Sequence, residues 1–228
     1  MSVKENIQEI LGEIAQSARK AGRKPEEVQL LAVSKTVGAE RIQQAIDAGL
    51  NAFGENRVQE WKEKYEILPK NISWHIIGRL QKNKIKYIIN KIELLHSLCA
   101  LETAQEIERL SAREGVQTNC LVQVNIGREE SKAGIEQEEL ERFLEQLQGF
   151  SHIKVQGLMA IAPFAENPED VRCYFAKMRE LYEKMPNEGN LERKFLSMGM
   201  SGDYKIAVEE GDNIVRVGSK IFGARDYH

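Results

Sequence analysis

Several things are scarce in this sequence, and each scarcity removes a class of protein. There are only three cysteines, Cys99, Cys120 and Cys173, an odd number with no C-x-x-C pair. A disulfide framework is therefore not expected, and a reducing compartment fits. No run approaches the roughly 18 apolar residues of a membrane span. Glu5, Glu9 and Glu13 interrupt the N-terminal segment where the apolar part of a signal peptide would lie. The expected location is the cytoplasm. Neither sign of charge dominates: 32 basic against 35 acidic residues leave a net charge of −3, which speaks against a nucleic-acid partner. His75, His96, His152 and His228 show no H-E-x-x-H pattern and no pairing with cysteine, so no metal site is expected. A P-loop and a G-x-G-x-x-G fingerprint are absent. The segment Gly199-Met200-Ser201-Gly202-Asp203 is one residue out of step with a nucleophile elbow.

What is present is a regular alternation. Ile7, Ile10, Leu11 and Ile14 mark one face of an amphipathic helix that runs to about Ala21, where Gly22 and Pro25 stop it. Eight short apolar runs then read as buried strands: Leu30–Ser34, Ala52–Gly54, Trp74–Ile77, Leu94–Leu98, Cys120–Asn125, Val155–Ile161, Phe195–Met198 and Ile214–Val217. Helix-periodic stretches separate nearly all of them: Ala39–Ala48, Arg57–Ile67, Leu101–Arg113, Glu138–Leu147, Asp170–Met185 and Tyr204–Glu209. Strands that alternate with helices imply right-handed parallel βαβ units. Eight units close a (β/α)8 TIM barrel, with the extra N-terminal helix over one side or end. The signals at Ala52–Gly54 and Leu94–Leu98 are short, and without one of them an open, doubly wound sheet is the alternative. The 228 residues suit one barrel domain spanning 1–228, because 165–169 and 186–190 read as loops and not as linkers.

In such a barrel the chemistry sits where strands end. The residues there are Ser34 and Lys35, Glu55 and Asn56, His75 and Gly78, His96, Asn125, Met159, Ser201, and Arg216, Gly218 and Ser219. A lysine after Leu30-Leu31-Ala32-Val33-Ser34 points into the barrel mouth. Partial burial disfavours an ammonium, and a neutral amine attacks an aldehyde, so Lys35 is a Schiff-base candidate. The plain alternative is a surface lysine capping a strand. Ser201 stands at or just before the N-cap of the helix Tyr204–Glu209, and Gly218-Ser219 follows the eighth strand. Loops seven and eight are where barrels most often hold phosphate, although two ordinary turns would look the same. Arg216, inside an apolar strand, needs a partner: a ligand nitrogen or a barrel carboxylate. Asn56 is either a ligand donor or the N-cap of Arg57–Ile67. His75 is a ligand-site candidate or a satisfied core residue. The basic stretch Arg79, Lys82, Lys84, Lys86 and Lys91 reads as a solvated helix face or a surface for an anionic partner.

Taken together the segments resemble a known family. They are Ala32-Val33-Ser34-Lys35-Thr36, Phe53-Gly54-Glu55-Asn56, Trp74-His75-Ile76-Ile77-Gly78 with Leu80-Gln81 and Asn83-Lys84, and Gln123-Val124-Asn125-Ile126. Glu130-Ser131-Lys132-Ala133-Gly134, Gly157-Leu158-Met159-Ala160-Ile161 and Leu196-Ser197-Met198-Gly199-Met200-Ser201 follow. The last are Arg216-Val217-Gly218-Ser219 and Ile221-Phe222-Gly223-Ala224-Arg225-Asp226-Tyr227. In order and nearly end to end, they resemble the pyridoxal phosphate homeostasis family, related to the barrel domain of alanine racemase. The resemblance implies a fold-type III barrel that carries pyridoxal 5′-phosphate (PLP) as a Schiff base on Lys35. It implies that Ser201, Gly218 and Ser219 hold the phosphate, that Arg216 faces the pyridine nitrogen, and that Asn56 lies near the ring. Ile76, Arg79 and Ser219 depart from the family's usual residues; Ser219 keeps the hydroxyl, whereas Arg79 adds a charge beside the site.

The implied function is to buffer or deliver PLP, with apo PLP-dependent enzymes as acceptors, a monomeric state and no turnover. The alternative is a PLP-dependent racemase or decarboxylase. An arginine at the pyridine nitrogen weakens the ring as an electron sink. Racemases of this type use a second acid–base group from an added domain, for which this chain has no residues to spare. No tyrosine replaces it, since Tyr65, Tyr87, Tyr174 and Tyr182 all fall in helical segments.

Overall fold

A computed structural model describes residues 2–129 and 132–223. Helix α1 (Val3–Lys20) opens on a capping box: the Ser2 hydroxyl accepts from the Glu5 N–H, and the Glu5 carboxylate accepts from the Ser2 N–H. Its buried stripe is Val3, Ile7, Ile10, Ile14 and Ala18, while Leu11, expected on that face, is exposed. The chain leaves the helix through Gly22 at φ +70°, a conformation glycine adopts without strain.

Eight strands follow: β1 (Gln29–Val33), β2 (Ala52–Glu55), β3 (Ser73–Ile76), β4 (Leu94–Leu98), β5 (Thr118–Val124), β6 (Ile153–Ala160), β7 (Leu191–Ser197) and β8 (Ile214–Val217). All the named pairs are parallel, in the order β7-β6-β5-β4-β3-β2-β1-β8. The ring closes between β7 and β8 just beyond the named strands. Met200 bridges Arg216 in parallel, the Asn213 N–H donates to Leu196 O, and the Arg216 N–H donates to Gly199 O. The chain is thus a nearly closed (β/α)8 barrel, and the open-sheet alternative is excluded. Both short strand signals form: β2 and β4 are buried along their whole length.

The helices between strands are α2 (Ala39–Asp47), α3 (Val58–Ile67), α4 (Ile85–Ile88), α5 (Leu101–Glu114), α6 (Leu140–Leu147), α7 (Arg172–Lys184), α8 (Tyr204–Glu209) and, after β8, α9 (Ser219–Phe222). Helix α1 packs on α2, α8 and α9, so it covers the flank of the barrel next to the β8–β1 seam. The Asn6 amide donates to Ile221 O across that contact.

Two cores result. The larger lies between strands and helices. The smaller fills the barrel, with Leu31, Ala52, Leu94, Leu121, Met159 and Ile214 as its members. It forms because alternate residues of every strand point inward. Gly157 has a special place there. It sits at φ +135°, β6 slips register on β7 beside it, and a Cβ would lie 1.8 Å from Phe195 O. Only glycine lets these two strands approach so closely.

Candidate functional site

At the carboxyl ends of the strands a cavity of about 450 Å3 opens. Lys35 lines it from the turn after β1, Asn56 from the turn after β2, Ser201 and Gly202 from loop seven, Arg216 from β8, and Gly218 and Ser219 from loop eight. The six residues expected from the sequence therefore meet in one place. Two that were not singled out line it as well: Gln123 from β5 and Lys132 from the loop after β5. Lys132 brings a second primary amine, whose Nζ donates to Glu129 Oε1 at 2.6 Å and to Ala162 O at 3.1 Å. Its sequence signals were its position soon after a strand end and its place in the family segment 130–134.

The two neighbours of Lys35 are clamped from behind. Ser34 and Glu55 face the helical layer, not the mouth. There Lys64 of α3 donates to Ser34 O, Glu55 Oε1 and Glu60 Oε1, each at 2.7 Å. The Ser34 hydroxyl donates to Glu55 Oε1 at 2.6 Å, and the Thr36 N–H donates to Glu60. Thr36 is held at φ +64°, an uncommon conformation for a β-branched residue. The side chains of Glu55 and Lys64 are only 0% and 8% exposed, so this is a buried ion pair. Burial raises the Glu55 carboxyl above its ordinary pKa, with Lys64 and Ser34 pulling the other way. The geometry fixes the backbone on both sides of Lys35.

Loops seven and eight are joined directly. Ser201 lies just before the N-cap of α8, a position that Asp203 occupies. The Ser201 hydroxyl accepts from the Gly218 N–H at 3.3 Å, which brings the two loops into one cradle. A Cβ on Gly218 would lie 3.1 Å from Val33 O, so the loop passes close to β1. Asp212, fully buried, accepts from the N–H groups of Gly199 (2.5 Å), Ile214 (3.2 Å) and Met198 (3.3 Å) and locks the same seam. Burial pushes its carboxyl up to about 7, against those donors and the nearby Arg216 charge.

Among the described residues Arg216 does not meet a carboxylate, which was one of its two expected partners. It donates to Ser197 Oγ at 2.7 Å and to Ala160 O at 2.8 Å, both neutral oxygens. Burial lowers its pKa, while Asp212 and Asp203 raise it. Below it in the barrel, His75 Nδ1 and His96 Nε2 share a hydrogen bond of 2.8 Å. His75 is thus a core residue with a partner, and it does not line the cavity. Burial holds His75 down at about 3; burial first, then His75 and Arg216, hold His96 well below its ordinary value. Burial thus favours the neutral form of both rings, and among the described residues His96 Nδ1 has no hydrogen-bond partner.

Other strand-end candidates serve the scaffold. Asn125 donates to Glu129 O and Glu136 Oε1 within its loop, and Met159 belongs to the inner core. Asn56 does not cap α3, whose N-cap is Arg57. The basic stretch is not one helix face. A single 3-10 turn, Lys82–Lys84, leads into α4, and Arg79 lines the cavity. The family segments Glu130-Ser131 and Ala224–Tyr227 lie outside the described residues. The three thiols are free, and the described residues hold no cluster of metal-ligating side chains.

The donor set fits a phosphate-bearing aromatic aldehyde: an amine on one wall, a permanent cation at the floor, and a hydroxyl-rich cradle on the other wall. The chain belongs to the family of the alanine racemase N-terminal domain, whose model matches residues 7–226. Within that class it is a member of the pyridoxal phosphate homeostasis family. It is 44% identical over 228 residues, all of both chains, to the pyridoxal phosphate homeostasis protein of Aquifex aeolicus. It is 39% identical to the one of Pseudomonas aeruginosa, over 99% of this chain and 97% of that one. The structure of PipY from Synechococcus elongatus with PLP bound matches 92% of this chain and 100% of its own at 34% identity, with a TM-score of 0.78. An alanine racemase of Clostridium difficile shares the fold alone, at 15% identity and a TM-score of 0.72 over 98% of this chain and 58% of its own.

Proposed function

We propose that the chain binds PLP as a Schiff base on Lys35 and buffers or delivers it, without turning over a substrate of its own. The observation that carries this is the single cavity in which Lys35, Arg216 and the joined loops seven and eight converge. PLP supplies an aldehyde that condenses reversibly with a primary amine. The rest is done by the chain. Ser201, Gly218 and Ser219 hold the phosphate with hydroxyl and backbone N–H groups. Arg216 stands opposite the ring nitrogen, and as a cation at any ordinary pH it keeps that nitrogen unprotonated. Asn56 borders the ring. Lys64, through Ser34 and through Glu60 and Thr36, keeps the Lys35 backbone in register with the cradle.

The names of the relatives as homeostasis proteins and the PLP-bound PipY structure support this reading over a racemase or decarboxylase. No tyrosine or histidine is among the described residues that line the cavity. The same reading takes residues 1–228 as one domain and the protein as a cytoplasmic monomer, with apo PLP-dependent enzymes as acceptors. No helix among the described residues is long and apolar enough to cross a membrane. The test is a titration with PLP followed by visible absorbance, in the wild type and in Lys35→Ala. A stoichiometric Schiff-base band that the variant lacks is expected. An equal band in Lys35→Ala overturns the assignment.

A further inference from the structure

Beside the Lys35 cavity lies a second and larger one, of about 980 Å3. The two share Asn56, Gly78, Arg79 and Ala133, so they are separated by a single wall. That wall is fixed. A Cβ on Gly78 would lie 2.3 Å from Asn56 O, and Gly78 O accepts from the Ser97 hydroxyl at 2.7 Å. Nothing in the proposed PLP site uses the larger chamber.

Its chemistry is one-sided. Arg57, Arg79, Lys82 and Lys84 line it, and among the described residues no aspartate or glutamate does. Two nearby carboxylates are engaged elsewhere, and Glu102, in the first turn of α5, is exposed. Glu106, which feels the Lys82 charge, is bonded to Arg109 at 2.9 and 2.7 Å, and Glu60 is held by Lys64 and Thr36. The starts of α3 and α5 also border the chamber, and neither Arg57 nor Ala100 supplies a side-chain cap to its helix. Their first-turn N–H groups add positive partial charge to that of the four cations. Four cations around one concavity, with no carboxylate among its described lining residues, leave a field that favours an anion of more than one charge. The volume suits a small molecule and not a duplex nucleic acid.

We infer that this chamber is a second ligand site, built for a small polyanion carrying phosphate or carboxylate groups. Resting on the PLP reading, the shared Arg79 makes the two sites interact. An anion in the chamber competes with bound PLP for the same cation and repels its phosphate. Filling the chamber weakens PLP retention roughly threefold, the size of a screened repulsion between two dianions about a Debye length apart. By linkage, PLP weakens the chamber's ligand by the same factor. The chamber would then promote release of the cofactor.

The test is calorimetric titration of the protein, PLP-loaded and PLP-free, with inorganic pyrophosphate and separately with citrate at matched ionic strength. Loading with PLP fills the loop seven and eight cradle, so binding there does not confuse the reading. The Lys82→Gln/Lys84→Gln variant, altered only at the chamber rim, is run in parallel. Saturable one-to-one binding of either probe to the loaded wild type, at least tenfold weaker in the variant, is the expected result. Pyrophosphate alone identifies a phosphate ligand, citrate alone a carboxylate, and both together the shared chemistry. No saturable binding of either probe, or binding unchanged in the variant, overturns the inference. If PLP fails to load on Lys35, the PLP reading fails, and the PLP-free titration with the same variant still decides the chamber.

Discussion

Replacing Lys64 with methionine isolates the clamp behind Lys35. The substitution removes one partner of a pair whose side chains are 8% and 0% exposed, and it leaves the Glu55 carboxylate buried with Ser34 as its remaining donor. Breaking a buried ion pair from one side costs about 3–5 kcal/mol, because the surviving charge stays desolvated. A domain of ordinary stability, about 5–15 kcal/mol, would lose a large fraction of it. The pH dependence follows from the raised Glu55 pKa. A carboxyl whose folded pKa lies above its unfolded value is best tolerated at low pH, and the stability is lost as pH rises through the folded pKa. Without Lys64 that pKa rises further, so the deficit of Lys64→Met is greatest at neutral pH and narrows toward pH 5. Glu55→Gln/Lys64→Met, which removes both charges, recovers most of the loss. PLP binding weakens as well, by about three- to tenfold, if binding must then order a side chain that the clamp holds in the wild type (about 0.5–1.5 kcal/mol). Urea denaturation at pH 7 and pH 5 with a PLP titration measures all of this. A Lys64→Met protein within about 1 kcal/mol of wild type at both pH values, or a double variant no better than the single one, refutes the argument.

Further outcomes follow from the barrel interior. His75 and His96 are neutral when folded and protonate when unfolded, so their contribution is complete above about pH 6.5 and is lost as pH falls below it. Asp212, raised to about 7, acts in the opposite direction over much of that range. The His75→Gln variant should therefore show a pH–stability slope between pH 6.5 and 5 smaller than wild type by about one proton, and an unchanged slope contradicts a neutral His75. Gly157→Ala drives a Cβ into the Phe195 carbonyl and should cost about 3 kcal/mol or more by urea denaturation. Arg216→Gln should raise the Kd for PLP roughly tenfold or more, the worth of a hydrogen bond to a charged group. An unchanged Kd removes Arg216 from the ring nitrogen.

Much of this architecture was legible in the sequence because its signals are local. The apolar runs that become β1, β5, β6 and β8 are long or dense enough to mark buried parallel strands, and their order alone sets the barrel and the strand ends. Lys35, Asn56, Ser201, Arg216, Gly218 and Ser219 could be found because strand-end position is itself the signal. The start of β7 was missed because Glu192, Arg193 and Lys194 are polar and largely solvent-facing, yet their backbone still lies in the strand. Leu11 was misplaced because two turns of α1 carry more apolar residues than the barrel flank covers. The clamp was half visible. Glu60 and Lys64 are four apart on one helix, but Glu55 and Ser34 reach them only through tertiary packing. Lys132 and the basic chamber come from loops, whose paths the local pattern does not set. The order of strands makes β3 and β4 neighbours, but the register that brings His75 onto His96 is set by packing and not by either residue's local sequence.

The central claim is that one amine, Lys35, holds PLP in the cavity. The direct measurement is reduction of the PLP-treated protein with borohydride, followed by peptide mapping of the modified lysine. Because Lys132 lines the same cavity, the map must resolve residue from residue. A single stoichiometric label on Lys35 is the expected result. A label on Lys132 in the wild type, or one spread over surface lysines, contradicts it.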